Sequence, residues 1–371
     1  MMKELVSIII PSYKDVKLLP RTLDKLLENS YPFKEVLVVI DEPTSESLQT
    51  LGKYNGKIDL IVNEKRMGKV RAYEKALERA RGEYLIFLDD DVEVVDKDFI
   101  EEIVRKLKEA DIVDIKKEIK KKSILSRLVY YDYIAMNFAN YLFHRWLNRC
   151  IGINGAAFAI RKKALEKIGG FNHTVSEDLD LGVRAYVHEL KFVFLNELKV
   201  LNEAPSSWRS WFRQRKRWAI GAALWIKQYF RTLVSILKNN LRLSLFTIFM
   251  LFPNLLVFVI SLFLEENIFY KLALLLLFYL SSYLPVLLPL FTLVSYSLAF
   301  LPIKAMTVAT IGFVFYSLIY YYAARKLGHK FNILEFMLYY FIYSPIWMFI
   351  FLAGLFRVLV LKKTGVEDWI I

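Results

Sequence analysis

The sequence predicts an α/β fold, doubly wound around a mainly parallel sheet, followed by interfacial helices and a helical membrane region. Three observations carry this. Apolar strand patterns alternate with helical ones over residues 1–204, the run Tyr84-Leu85-Ile86-Phe87-Leu88 ends in Asp89-Asp90-Asp91, and stretches free of Asp, Glu, Lys and Arg gather in the C-terminal third.

Strands are expected at Leu5–Ile10, Glu35–Ile40, Ile58–Val62, Tyr84–Leu88 and Ile112–Ile115, and helices near Leu18–Asn29, Ser45–Tyr54, Lys69–Ala80 and Lys97–Glu109. Strict alternation of the two periods is the signature of parallel strands joined by helical crossovers. The basic run Ile115–Lys122 reads as a solvated connection. Leu125–Arg149, rich in aromatic residues, reads as an amphipathic helix on the membrane or against the spans.

With 56% hydrophobic and 15% aromatic residues in a chain of 371, the composition exceeds that of an ordinary soluble core. Leu243–Leu264, Leu272–Ile303, Ala305–Ala324 and Phe336–Phe356 lack charged residues and are each long enough to cross about 30 Å of hydrocarbon. About four spans are therefore expected, the second kinked at Pro285 and Pro289. No N-terminal signal peptide is expected, because Val6–Ile10 is too short an apolar run. The lone Cys150 forms no intramolecular disulfide, which suits a reducing compartment. A net charge of +13 beside spans points to a cytoplasmic face against anionic lipid and not to nucleic acid. The expected organisation is a domain over 1–204, interfacial helices over 205–242, a membrane domain over 243–361 and a cytoplasmic tail over 362–371.

In an open α/β sheet, ligands bind at the carboxyl ends of the strands. Three adjacent acids at such an end repel one another and raise their pKa values unless a cation joins them. Asp89 and Asp91, two apart, are placed to offer oxygens to one hard ion of the kind that carries nucleotide phosphates, while Asp90 points elsewhere. The alternative is a solvated acidic turn. The same edge gathers Ile10-Pro11-Ser12-Tyr13, Asp41-Glu42 and the segment Asn63–Lys69. Asp41 is suited to accept from a base imide, and Lys69 at a helix N-terminus to meet phosphate charge. Ser176-Glu177-Asp178 reads as a helix start with Ser176 as N-cap, or as a site where Asp178 acts as general base. Residues 205–242 hold nine Lys or Arg and no acid among Trp208, Trp211, Phe212, Trp218, Trp225, Tyr229 and Phe230, the pattern of a cytoplasmic interfacial helix. Within it lies Gln214-Arg215-Lys216-Arg217-Trp218, read either as lipid anchors or as groups for a leaving diphosphate and a sugar ring.

These motifs, in this order over about residues 5–225, resemble the membrane-integrated family 2 glycosyltransferases, the group of cellulose, chitin, hyaluronan and poly-N-acetylglucosamine synthases, with ceramide glucosyltransferases sharing much of the pattern. Gln-x-x-Arg-Trp is the most specific of them. The resemblance implies a GT-A fold and an inverting, metal-dependent transfer from a UDP-sugar. Asp41 is then expected on the uracil, with Pro11, Tyr13, Lys69, Asp89 and Asp90 around the nucleotide-sugar. It places Asp89 and Asp91 on Mg or Mn, Asp178 with Glu177 at the acceptor as the catalytic acids, and Gln214, Arg217 and Trp218 at the acceptor and diphosphate end. The chain departs from the pattern at Glu42, where a second Asp is usual, and at Pro43, where a small residue is common. Lys362-Lys363-Thr364-Gly365 is weakly reminiscent of a gating-loop region.

The implied function is a multi-pass cell-membrane β-glycosyltransferase with a cytoplasmic catalytic domain, acting on a glycan or lipid-linked acceptor, with a processive polysaccharide synthase as one form of it, although four spans make a thin wall for a polymer channel. Single addition to a polyprenyl phosphate or glycolipid is the nearest alternative. A transporter or scaffold with a degenerate transferase domain is the alternative from another class. Four spans return Lys362-Lys363 to the cytoplasm, as the positive-inside rule prefers, but place Arg325, Lys326, His329 and Lys330 outside.

Overall fold

The structure, a computed structural model, describes residues 4–253, 275–276, 279 and 303–365. Two compact units are formed, Met1–Leu245 with Phe349–Ile371, and Phe246–Met348.

The first unit is built on β1 (Val6–Tyr13), α1 (Leu19–Glu28), β2 (Lys34–Asp41), α2 (Ser45–Gly52), β3 (Asp59–Asn63), α3 (Lys69–Arg79), β4 (Tyr84–Leu88), β5 (Val92–Val94), α4 (Phe99–Leu107), β6 (Ile112–Ile119), α5 (Ile124–Leu147), β7 (Ala157–Arg161), α6 (Lys162–Lys167), α7 (Glu177–Val187), β8 (Phe192–Asn202) and α8 (Trp208–Asn239). The eight strands form one sheet in the order β3-β2-β1-β4-β7-β6-β8-β5. Local signals explain the element ends. Pro20 sits in the first turn of α1, the Thr44 hydroxyl accepts the Ser47 N–H at the start of α2, and Ser123/Ser126 and Ser207/Ser210 form capping boxes on α5 and α8.

The four expected strands β1–β4 lie parallel, which puts Tyr13, Asp41, Asn63 and Leu88 at one edge. The remainder corrects the parallel reading. β7 runs antiparallel to both β4 and β6, and β5 runs antiparallel to β8, so the sheet is mixed. The β7 strand carries only the short run AFAIR, and direction is set by how the chain returns to the sheet, which side-chain alternation does not encode. The reversal matters for position. An antiparallel β7 begins where β4 ends, so the Asp89 N–H donates to the Ala156 carbonyl at 2.9 Å and the turn before β7 arrives at the ligand edge.

Two further expectations are corrected. The run Ile115–Lys122 is not a solvated connection, because β6 extends to Ile119 with a register shift between Ile115 and Lys116. Lys117 is completely buried and paired with Asp114, whose other carboxylate oxygen accepts from Asn140 at 2.7 Å. Burial lowers the Lys117 ammonium pKa and raises that of the Asp114 carboxyl, each partly offset by the other. Nor does the aromatic helix α5 lie on a lipid surface, since it packs on β6 and β8 with Tyr130, Tyr131, Ile134 and Phe138 buried.

Beyond α8 come α9 (Leu241–Leu251), α10 (Ile303–Leu327) and α11 (Ile333–Leu359), the last carrying a π-helical stretch at Tyr339–Tyr343. Inside the second unit, α10 meets α11 through ring contacts such as Tyr320–Phe336 at 4.8 Å. Among the described residues, α11 is long and apolar enough to cross a membrane, with a mean hydropathy of 1.8 over its best window. The pair Trp208–Asn239 and Ser244–Met250 qualifies only if counted as one broken span. The expected Ala305–Ala324 and Phe336–Phe356 fall within α10 and α11, whereas most of Leu272–Ile303, with Pro285 and Pro289, and the second half of Leu243–Leu264 lie outside the described residues.

Removing one partner of a buried ion pair strands the other charge, so Lys117→Met is expected to cost about 3–5 kcal/mol. Adding Asp114→Leu should return a large part of that. Chemical denaturation of the full chain in detergent checks it, and a single variant as stable as the parent would contradict the pairing.

Candidate active site

The carboxyl edge of β1, β2 and β4 opens onto a cleft of about 220 Å³ lined by Pro11, Ser12, Tyr13, Asp41, Arg66, Gly68, Lys69, Ala72, Asp89, Asp90, Asp91 and Arg217. Eight of the residues singled out from the sequence (Pro11, Tyr13, Asp41, Lys69, Asp89, Asp90, Asp91 and Arg217) therefore share one wall.

Lys69 ties the cleft together. As the first residue of α3, its ammonium lies 2.7 Å from Asp89 Oδ1 and 3.1 Å from Glu177 Oε1. Burial disfavours the charged ammonium, but Asp89, Tyr73 and Glu177 overcome this and hold its pKa well above the ordinary lysine value. One cation thus joins the end of β4 to the first turn of α7, segments 88 positions apart. Burial raises the Glu177 carboxyl, Lys69 lowers it and the Asp178 charge adds to the rise.

The turn that presents Lys69 is held by Asp41. Asp41 Oδ2 accepts the N–H groups of Met67 and Gly68 at 2.8 and 2.9 Å, and Oδ1 accepts from the Asn63 amide at 2.8 Å. Gly68 adopts φ 94°, a conformation that favours glycine. Beside it, the Arg66 guanidinium stacks 4.3 Å from the Tyr13 ring, while Glu42, itself at φ 46°, accepts the Arg66 N–H at 3.1 Å and the Tyr13 hydroxyl at 3.3 Å.

Within the acidic run, Asp90 turns away from its neighbours to accept the Ser12 hydroxyl at 2.6 Å. Burial and then the Asp89 charge, working against the Ser12 bond, push its pKa up to about 6. Asp91 is pushed up to about 7 by the same crowding, burial first and Asp89 next. Its side chain nonetheless reaches water at the cleft mouth, which moderates the rise without changing its direction. Among the described residues, no three acidic, His or Cys side chains form a ready-made metal cage. Asp91, its pKa raised by the neighbouring Asp89 charge as well as by burial, does fit with Asp89 around a hard divalent ion that draws its remaining ligands from phosphate and water.

Asp178 stands beside the cleft wall. Its Oδ2 accepts the Gly155 N–H at 3.0 Å and its Oδ1 the Leu179 N–H at 2.8 Å, so the turn that β7 brings to the edge also orients this carboxylate. The expected cap is absent in one respect: α7 starts at Glu177, but the Ser176 side chain makes no capping bond. Arg217 reaches the cleft from α8. Burial lowers its pKa, while Glu177, Asp89 and Asp178 act in the opposite direction, which places the three carboxylates and this guanidinium in one field. Gln214 and Trp218 are half-buried and do not line the cleft.

Sequence reasoning passed over Asp132 and read Arg215 only as part of the Gln214–Trp218 motif, as a lipid anchor in one alternative, which its burial overturns. The Arg215 guanidinium, completely buried, pairs with Asp132 at 2.7 Å and lies 4.2 Å from the Trp218 ring and 5.8 Å from that of Trp211. This contact fixes α8 on α5. A signal was present, since Asp132 is the only acid between Glu118 and Glu166.

Fold and site together form a GT-A-like mixed sheet with an acidic cleft at its carboxyl edge, and residues 7–169 match the family model described as Glycosyl transferase family 2. The match covers somewhat less than half of the chain, all of it within the first unit. The probable glucomannan 4-beta-mannosyltransferase 14 of Arabidopsis thaliana is 41% identical over 90 residues, 24% of this chain and 16% of that protein, so the match spans under a fifth of the plant relative. The probable glycosyltransferase YdaM of Bacillus subtilis (strain 168) is 25% identical over 292 residues, 72% of this chain and 69% of that protein. Among solved structures, the mannosyltransferase PcManGT from Pyrobaculum calidifontis, in complex with GDP-Man and Mn2+, aligns with a TM-score of 0.53 at 19% identity, over 81% of this chain and 86% of that one, a likeness of fold.

An acid whose folded pKa is raised opposes folding once it ionises, so the penalty is absent below about 4 and complete above about 7. In metal-free buffer, Asp91→Asn should therefore gain thermal stability over the parent as pH rises through that window, with no gain at its lower end. Unfolding midpoints measured against pH check this, and a gain independent of pH would contradict it.

Proposed function

We propose that the protein is an inverting, membrane-associated β-glycosyltransferase that moves a sugar from a nucleoside-diphosphate donor to a glycan or lipid-linked acceptor at the cytoplasmic face of the cell membrane. The observation that carries this reading is the convergence of Asp89, Lys69, Glu177, Asp178 and Arg217 at one strand edge within a family 2 domain. The plant relatives are named as mannosyltransferases, which supports including mannose among the candidate sugars. PcManGT is described with GDP-Man, which supports testing a guanosine donor beside the UDP-sugar implied by the motifs.

In this reading Asp178 accepts the proton of the acceptor hydroxyl as its oxygen attacks the anomeric carbon, and the bond to the diphosphate breaks on the opposite face. Its two backbone donors leave each oxygen a further lone pair directed by the turn at Gly155. Lys69 and Arg217 face the charge that grows on the leaving diphosphate. Asp89 and Asp91 would hold Mg or Mn, and the ion when bound neutralises the same diphosphate. Tyr13, braced by Arg66, offers a ring face at the nucleotide end, and Trp218 a surface toward the acceptor side of α8. The four-span membrane domain completes the proposal, with α11 as its best-defined member.

The test is incubation of the purified full chain with a panel of UDP- and GDP-sugars, reading nucleotide release and product mass. Asp178→Asn is expected to bind donor as the parent does and to lose transfer by at least about a hundredfold. Asp91→Ala is expected to lose Mn-dependent donor binding. An Asn variant that transfers at the parent rate would remove Asp178 from the mechanism. A ladder of products marks a processive synthase, and one added sugar marks a single-addition enzyme.

A further inference from the structure

The helix that carries Glu177 and Asp178 is held from two sides by contacts that no motif announces. On one side, α7 meets the turn before β7 backbone to backbone: a Cβ on Gly182 would stand 2.5 Å from Gly152 Cα, and Gly155 of the same turn donates to Asp178. On the other side lies α8. The Trp225 indole N–H donates to the Leu179 carbonyl at 3.0 Å, the Tyr229 hydroxyl donates to Asp180 Oδ1 at 2.5 Å, and Gly221 lets α8 close against the Ser176 hydroxyl. Asp180 is completely enclosed and also pairs with Arg184 at 2.7 Å, which in turn donates to the Ile168 and Gly170 carbonyls. Tyr229 is where α8 departs from helical geometry, at φ −104° and ψ 17°.

The opposite face of α8 is backed by the end of α11. Ile220 and Ala223 pack with Val358 and Leu355, and Gly354 lies so close that a Cβ there would stand 2.7 Å from the Ala219 Cβ and 3.1 Å from its carbonyl oxygen. A close-packed stack transmits displacement, because no layer has free volume to absorb it.

We infer that Trp225 and Tyr229 are positioning residues for the Glu177–Asp178 acid pair, and that the seating of α11 against α8 at Gly354 sets their position. The inference rests on the reading of Asp178 as the base, and it makes the last apolar helix part of what holds the reacting carboxylate in place.

Three variants test it in the full chain: Trp225→Phe, which keeps the ring and removes the N–H, Tyr229→Phe, which removes the hydroxyl, and Gly354→Ala, which adds one Cβ where alanine otherwise favours helix. Each is expected to lower kcat about tenfold, with the donor KM within about twofold of the parent. Each should also speed amide hydrogen exchange at Leu179–Leu181. Leu352→Ala, on the exposed side of α11, should change neither quantity. Parent-like kcat and exchange in both Trp225→Phe and Tyr229→Phe would overturn the inference, as would loss of protection spread evenly over the whole domain. If the parent protein transfers no sugar from any donor, the base assignment falls by itself. Exchange at α7 then decides the coupling alone, with faster exchange sustaining it and unchanged exchange ending it.

Discussion

One buried ammonium organises the cleft. Lys69 lies between carboxylates from the two ends of the domain, Asp89 leaving β4 and Glu177 opening α7. Glu177, buried as it is, would not be tolerable ionised without it, because a carboxylate withdrawn from water needs a partner within hydrogen-bond reach. The turn at Gly68 that presents Lys69, the Asp41 carboxylate that holds the turn, and the approach of α7 are all conditions for that ion triplet.

The sheet explains why such distant residues meet. Parallel β1, β2 and β4 send their last residues to one edge, and antiparallel β7 begins at the same edge. The turn before β7 can therefore touch Asp89 through Ala156 and Asp178 through Gly155. Helix α8 then closes the far side, locked to α5 by Arg215 and Asp132 and bringing Arg217 to the cleft.

The strands β1–β4 were legible because each carries at least three consecutive apolar residues (Ile8–Ile10, Val36–Ile40, Leu60–Val62 and Tyr84–Leu88), and Tyr84–Leu88 appears in the structure with the limits read from sequence. The direction of β7 was not legible, being decided by long-range pairing. The lysines of β6 misled because periodicity treats every lysine as solvated, whereas Lys117 has Asp114 beside it in the dark of the core. The aromatic residues of α5 imitate an interfacial helix, since burial in a protein core and burial in lipid select the same side chains. At the site, the motif residues could be listed from sequence. That Arg215 serves structure and Arg217 the cleft follows only from the direction each takes off the helix.

The bonds of Asp41 carry a consequence for ligand entry. With three internal donors on its two oxygens, the carboxylate shapes the loop 63–68 through the chain's own bonds. For the donor proposed above, such a preformed socket would cost little affinity in ordering the chain around it, which favours discrimination by fit over recognition by rearrangement.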